Sequence, residues 1–327
     1  MADSDEPLIP SSYKELGDCH VVQVSEIQMI GSAIRELSAA RTVPLICAGF
    51  VESTVQIWDL LTQQKTGEFA AHFEFGSTNL ALHPGGESVV TGISAKRGSI
   101  ASYKVPNGEL IWLRDRLPDP GRIRFSQSGK HVSFSFNTRR IERVDALTGN
   151  TTEVLRQIDH YIEGPNGYAL TVPSTGSTYL LRKEHEIPIP KLTFAVLDVA
   201  FGPDRLCITE STGPVRCLDY LTGAEHWRYT PLEGSHVLGL HYNRLDDFFY
   251  GVVWHYEKGQ FRYLARFDAE TSQPTRLRSL SSWEEVFSEA TQQLVTSSGE
   301  IIDLSSGEIA GELAFPRKEY PDRFTVT

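Results

Sequence analysis

The sequence predicts an all-β fold: a single β-propeller of about seven four-stranded blades, a ring of small sheets. Three observations carry this. A strand–turn unit recurs along the 327 residues, its aspartates recur at a blade-sized period, and a second strand–turn unit fills the intervals.

The first unit is an alternating strand that enters a short polar turn, usually with Gly, and is followed by another strand. Copies are Val55–Leu60, Ile100–Val105, Ile141–Ala146, Val215–Tyr220, Tyr263–Asp268 and Glu300–Leu304, with a weaker one at Ser177–Leu181. The turns include Pro106-Asn107-Gly108, Leu147-Thr148-Gly149, Leu221-Thr222-Gly223 and Ser305-Ser306-Gly307. Gly supplies the positive φ that such turns need. Asp59 and Asp303 are 244 residues apart. Over six repeats that is about 41 residues each, the size of one propeller blade.

The second unit is a short apolar strand, a Gly- or Pro-bearing turn, and another strand. Leu80-Ala81-Leu82 leads through Pro84-Gly85-Gly86 to Val89-Val90. Ile123–Ser126 leads through Gly129 to Val132-Ser133-Phe134, and Val199-Ala200-Phe201 leads through Gly202-Pro203 to Leu206-Cys207-Ile208. The two units together supply the four strands of a blade, and short strands at regular spacing favour an all-β fold.

Ile57-Trp58-Asp59, with His72 after the next strand, resembles a WD-repeat blade. Gly98 to Trp112 and Gly213 to Trp227 resemble blades of quinoprotein-type propellers. The resemblance spans residues 19 to 316 and implies the propeller fold; most copies lack the WD dipeptide, and fold likeness does not transfer function. Blades are expected near residues 19–72, 73–117, 118–156, 157–193, 194–233, 234–281 and 282–316, with polar tails at 1–18 and 317–327. Ser32 to Ala40 reads as a helical insertion in the first blade. Ring closure has two readings: His20 to Val24 adds an outer strand to the last blade, or residues 283–315 supply all four of its strands.

An aliphatic and aromatic fraction of 40% allows a large core. A net charge of −11 argues against a general nucleic-acid binder, because a phosphate backbone needs a basic footprint. The acidic N-terminus has no secretory pattern, and no apolar run approaches a membrane span, so a cytoplasmic protein is expected. Cys19, Cys47, Cys207 and Cys217 show no metal or redox spacing and are expected to be reduced, with Cys207 and Cys217 facing each other on adjacent strands.

A catalytic or metal site in a propeller would lie where the innermost strands converge. The matched inner-strand positions are Ala81, Arg124, Ala200, His241 and Val286, one imidazole and one guanidinium among aliphatics. A metal asks for three or more N or O ligands. No metal, no cofactor and no catalytic residue is therefore assigned, and Trp112 and Trp227 are read as packing residues on outer strands. No G-x-S-x-G elbow occurs, and Gly85-Gly86 has no helix after it to make a phosphate loop.

Two surface features point to a protein partner. Lys96, Arg97, Arg114, Arg116, Arg122, Arg139 and Arg140 fall in or beside connections on one face of the second and third blades, with Asp115, Asp119 and Glu142 near enough to neutralise them. An aromatic hairpin in the sixth blade ends at Trp254 and Tyr256, suited to an interface anchor on the same face or to cross-strand packing. The expected function is a non-enzymatic interaction module (scaffold, adaptor or immunity-type inhibitor) that binds a protein with an acidic segment, and neither nucleic acid nor membrane. The alternative is a lactonase-like hydrolase or lyase at the ring axis. An axial pocket with three or more convergent polar side chains would favour that alternative.

Overall fold

A computed structural model describes residues 34–316, apart from 51–52, 72–76, 95–97, 119, 137, 166–167, 176–177, 183–184, 193–194, 212, 256–260, 269–273 and 283. These residues form seven four-stranded antiparallel sheets, each built from consecutive strands in simple up-and-down order. The first to seventh sheets cover residues 34–70, 77–117, 120–156, 158–188, 196–229, 235–280 and 285–312. No helix among the described residues is long and apolar enough to cross a membrane.

The sheets form a β-propeller. The first strand of the first sheet, Ile34–Ala39, touches the first strands of both the second sheet (Ser77–Leu82) and the seventh (Glu285–Ser288). The core lies between neighbouring sheets. Phe69, Leu80 and Tyr103 join the first and second sheets, Leu170, Leu206 and Leu218 the fourth and fifth, and Tyr250, Leu264 and Ile302 the sixth and seventh. All are buried. A strand here packs both faces against neighbours, so middle strands such as Leu45–Phe50 and Arg205–Glu210 bury nearly every residue rather than alternating.

The recurring aspartates have a local cause. Each closes its turn by accepting backbone N–H groups two and three residues ahead: Asp59 from Leu61 and Thr62, Asp145 from Leu147 and Thr148, Asp219 from Leu221 and Thr222. Asp303 accepts from Ser306 in the same way. The glycine that follows has positive φ and donates back to the carbonyl of the same aspartate at Gly149, Gly223 and Gly307. At Gly149 a Cβ would also stand 2.8 Å from the Trp112 ring, so close approach and φ both require glycine.

One expectation is overturned. Ile34–Ala39 is a strand, not a helix, and it is the innermost strand of its sheet. Its buried residues, Ile34 and Leu37, are three apart because a bulge lies between Ile34 and Glu36. A bulge adds a residue to the two-residue period and so imitates helical spacing. The seventh sheet draws all four strands from residues 285–312. His20 to Val24, Cys19 and both tails lie outside the described residues. Cys207 and Cys217 do face each other in register, and with Cys47 they are buried free thiols.

Candidate functional site

The charged residues of the second and third sheets gather at the end of the ring where first strands begin. Pro120, which opens the first strand of the third sheet, is paired with Phe136, and Phe136 with Arg140 across the next turn. The cluster is organised by a buried carboxylate. Glu142 receives Arg114 and Arg140 at 2.6 Å each, and a short hydrogen bond from the Thr151 hydroxyl. The two guanidiniums also lie over the rings of Phe134 and Phe136. Burial by itself would raise the Glu142 pKa; the hydrogen bonds from Thr151 and Arg114 and the charges of both arginines outweigh it and hold the carboxyl below its ordinary range.

Arg122 is exposed and donates to the Leu197 carbonyl of the fifth sheet at 2.8 Å. Arg116 and Arg139 are exposed, each with positive φ (58° and 56°). Lys96, Arg97 and Asp119 lie outside the described residues. In the sixth sheet, Phe249, Tyr250 and Phe267 are fully buried, and Phe249 pairs with Phe267 across the strands. Trp254, near the hairpin tip, is half-buried and lies 6.5 Å from the His236 ring. Tyr256 lies outside the described residues. Trp112 is buried and donates to the Ala146 carbonyl, and Trp227 stacks on Phe267, both on outermost strands.

The axis of the ring holds a cavity of about 330 Å³ at the opposite end, where first strands finish. Four of the five matched inner-strand residues, Ala81, Arg124, Ala200 and His241, line it; Val286 does not. His241 is buried, stacks on Phe287 and lies 3.4 Å from Gln292. Burial pushes its pKa down to about 4, so it is neutral at neutral pH. Glu289 bridges Arg41 at 2.8 Å and Arg244 at 3.2 Å, which ties the first, sixth and seventh sheets together at this end. Glu163 pairs with Arg143. Arg124 is 33% exposed and stands 3.5 Å from Asp198, whose other oxygen accepts the Leu240 N–H.

Sequence reasoning did not reach Arg41, Glu163, Arg244 or Glu289. Arg41 follows the strand misread as helix, and the others sit at strand ends or in turns, where the repeat is least regular. Among the described residues no three His, Cys, Asp or Glu side chains come together as a metal site.

A closed ring of four-stranded up-and-down sheets with Asp-turns defines a WD-repeat-like β-propeller. Solved structures agree. The chain is similar to the C-terminal WD40 domain of Sif2 (TM-score 0.60, 11% identity, 81% of this chain and 93% of that one). It is also similar to U3-55K (TM-score 0.62, 10% identity, 81% and 88%) and to the computationally designed Ika8 protein (TM-score 0.57, 16% identity, 88% of each). No known family profile and no curated protein matches the sequence.

Proposed function

We propose that this propeller is a non-enzymatic, cytoplasmic protein-interaction module that binds a partner's acidic segment at the ring end where first strands begin. On our reading each sheet is one blade, seven in all. The WD-repeat-like fold is one that generally binds protein partners. The observation that carries the choice of face is the pair Arg116 and Arg139. Both are exposed guanidiniums at this end of the ring, beside the anchored Arg114 and Arg140. Glu142 fixes the neighbouring Arg114 and Arg140, so the face presents charge on a rigid base. Arg122 and, where they extend the same face, Lys96, Arg97 and Tyr256 belong to this reading, with Trp254 as the apolar anchor.

The hydrolase or lyase alternative keeps one observation in its favour: the axial cavity holds more than three polar side chains. Their charged members are, however, largely committed to ion pairs, and neutral His241 is stacked on Phe287. That arrangement suits binding better than acid–base chemistry.

The test is capture of partners from the native host by the full chain, followed by kinetics with the recovered partner. The double variant Arg116→Glu/Arg139→Glu should slow association and flatten its salt dependence, and Trp254→Ala should speed dissociation. Unchanged kinetics in both place the interface elsewhere.

A further inference from the structure

We propose that the axial cavity at the ring end where first strands finish is a binding site for a small organic monocarboxylate, held by the Arg124 guanidinium. This site is separate from the protein-binding face above and does not depend on it.

Three features of the cavity lead there. Its volume of about 330 Å³ lies at the lower end of the range of small-molecule sites. Its charged lining among the described residues is three arginines, Arg41, Arg124 and Arg244, against two glutamates, Glu163 and Glu289. With His241 neutral, the wall carries one excess positive charge. The remaining surface includes Ala81, Ile123, Ala200 and Leu240, which offer an apolar seat to the body of a ligand.

The three arginines are matched differently. Arg41 and Arg244 share Glu289 and hold the excess charge between them, and Glu163 has Arg143. Among the described residues Arg124 has one carboxylate, Asp198 at 3.5 Å, beyond good hydrogen-bond length, and that carboxylate already accepts the Leu240 N–H at 2.9 Å. Burial and the neighbouring Arg122 disfavour the Arg124 charge, against the weaker help of Asp198. A guanidinium has five donors in a planar fork that matches a carboxylate by two hydrogen bonds. An incoming carboxylate supplies the counter-charge that Asp198 provides only in part.

One planar fork beside an apolar seat fits one carboxylate and a compact aliphatic or aromatic body, so the ligand class is a small organic monocarboxylate.

The experiment is calorimetric titration of the full chain at low ionic strength with acetate, butyrate and benzoate, and with benzamide as the neutral comparison. At least one monocarboxylate should bind saturably, with benzamide at least about tenfold weaker than benzoate if benzoate is the binder. Arg124→Gln should weaken binding by at least about tenfold. Ala200→Leu, which fills the cavity without changing charge, should also abolish it, and each variant's unfolding transition reports whether it is folded. Saturable binding by none of the three monocarboxylates overturns the proposal. So does benzamide matching benzoate, or binding that survives both substitutions in folded protein.

Discussion

Two groups of arginines sit at opposite ends of the ring, and they differ in what surrounds them. At the first-strand start, Arg114 and Arg140 converge at 2.6 Å on one buried carboxylate, Glu142, which Thr151 also hydrogen-bonds. At the other end, Arg124 meets one carboxylate among the described residues, at 3.5 Å, and that carboxylate is partly engaged elsewhere. The first group stands out in the sequence as a run of basic residues, while Arg124 does not. Yet the first is mostly internal structure, and the second has the longer ion pair. Charge density along a chain therefore does not measure available charge; the distance and prior commitments of each partner do.

The largest effect expected from this comparison is at Glu142. Glu142→Gln leaves two guanidiniums facing a neutral amide in a buried site, and breaking such a pair by removing one partner costs about 3 kcal/mol or more. Urea unfolding at neutral pH measures it. The pH dependence carries a sign. The folded Glu142 pKa lies below its ordinary value of 4.5, so its stabilisation is present above that value and is lost as pH falls through the folded pKa. The variant should show a flatter acid limb than the parent. A loss under about 1 kcal/mol would mean the hub is no tighter than a surface pair.

Glu36 sharpens the comparison by offering a carboxyl without a committed cation. It lies on the innermost strand of the first sheet, largely buried. Burial raises its pKa to about 8; a backbone hydrogen bond from Leu80 and the charge of Arg122 oppose the rise, and Glu284 adds to it. A raised folded pKa means its contribution is fully present below about 4.5 and is lost as pH climbs through 8. Glu36→Gln should match the parent in stability near pH 4.5 and exceed it by on the order of 2 kcal/mol near pH 8. Thermal or urea unfolding across that window reads the crossing, and parallel pH profiles would refute the assignment.

The comparison also marks what the sequence made legible. The turns were readable because Asp59, Asp145, Asp219 and Asp303 each do a local job within three residues. Most inner-strand positions were readable because the repeat aligns them, so Arg124 and His241 were placed on the axis correctly. The first strand was not, because the bulge at Ile34/Glu36 gave its buried residues helical spacing. Ion pairs were legible least of all. Arg114 to Glu142 spans 28 residues and Arg41 to Glu289 spans 248, and nothing local in the chain announces either partner. The basic run on the second and third sheets therefore looked freer than Arg114 and Arg140 are.

The smallest effect is expected at Arg124, and it tests the comparison most directly. Arg124→Gln removes a cation whose carboxylate neighbour among the described residues is 3.5 Å away, so little Coulomb energy in good geometry is lost. Asp198 keeps its hydrogen bond from the Leu240 N–H, so no carboxylate is left without a donor. Burial already disfavoured the Arg124 charge, and glutamine fills part of the same volume with a neutral donor. These terms oppose each other, and the net change in unfolding free energy should stay within about 1 kcal/mol of the parent. The same substitution should weaken carboxylate binding strongly, so stability and binding separate at this residue as they would not at Glu142. If Arg124→Gln instead destabilises as much as Glu142→Gln, the two clusters are alike, and Arg124 serves the ring rather than a ligand.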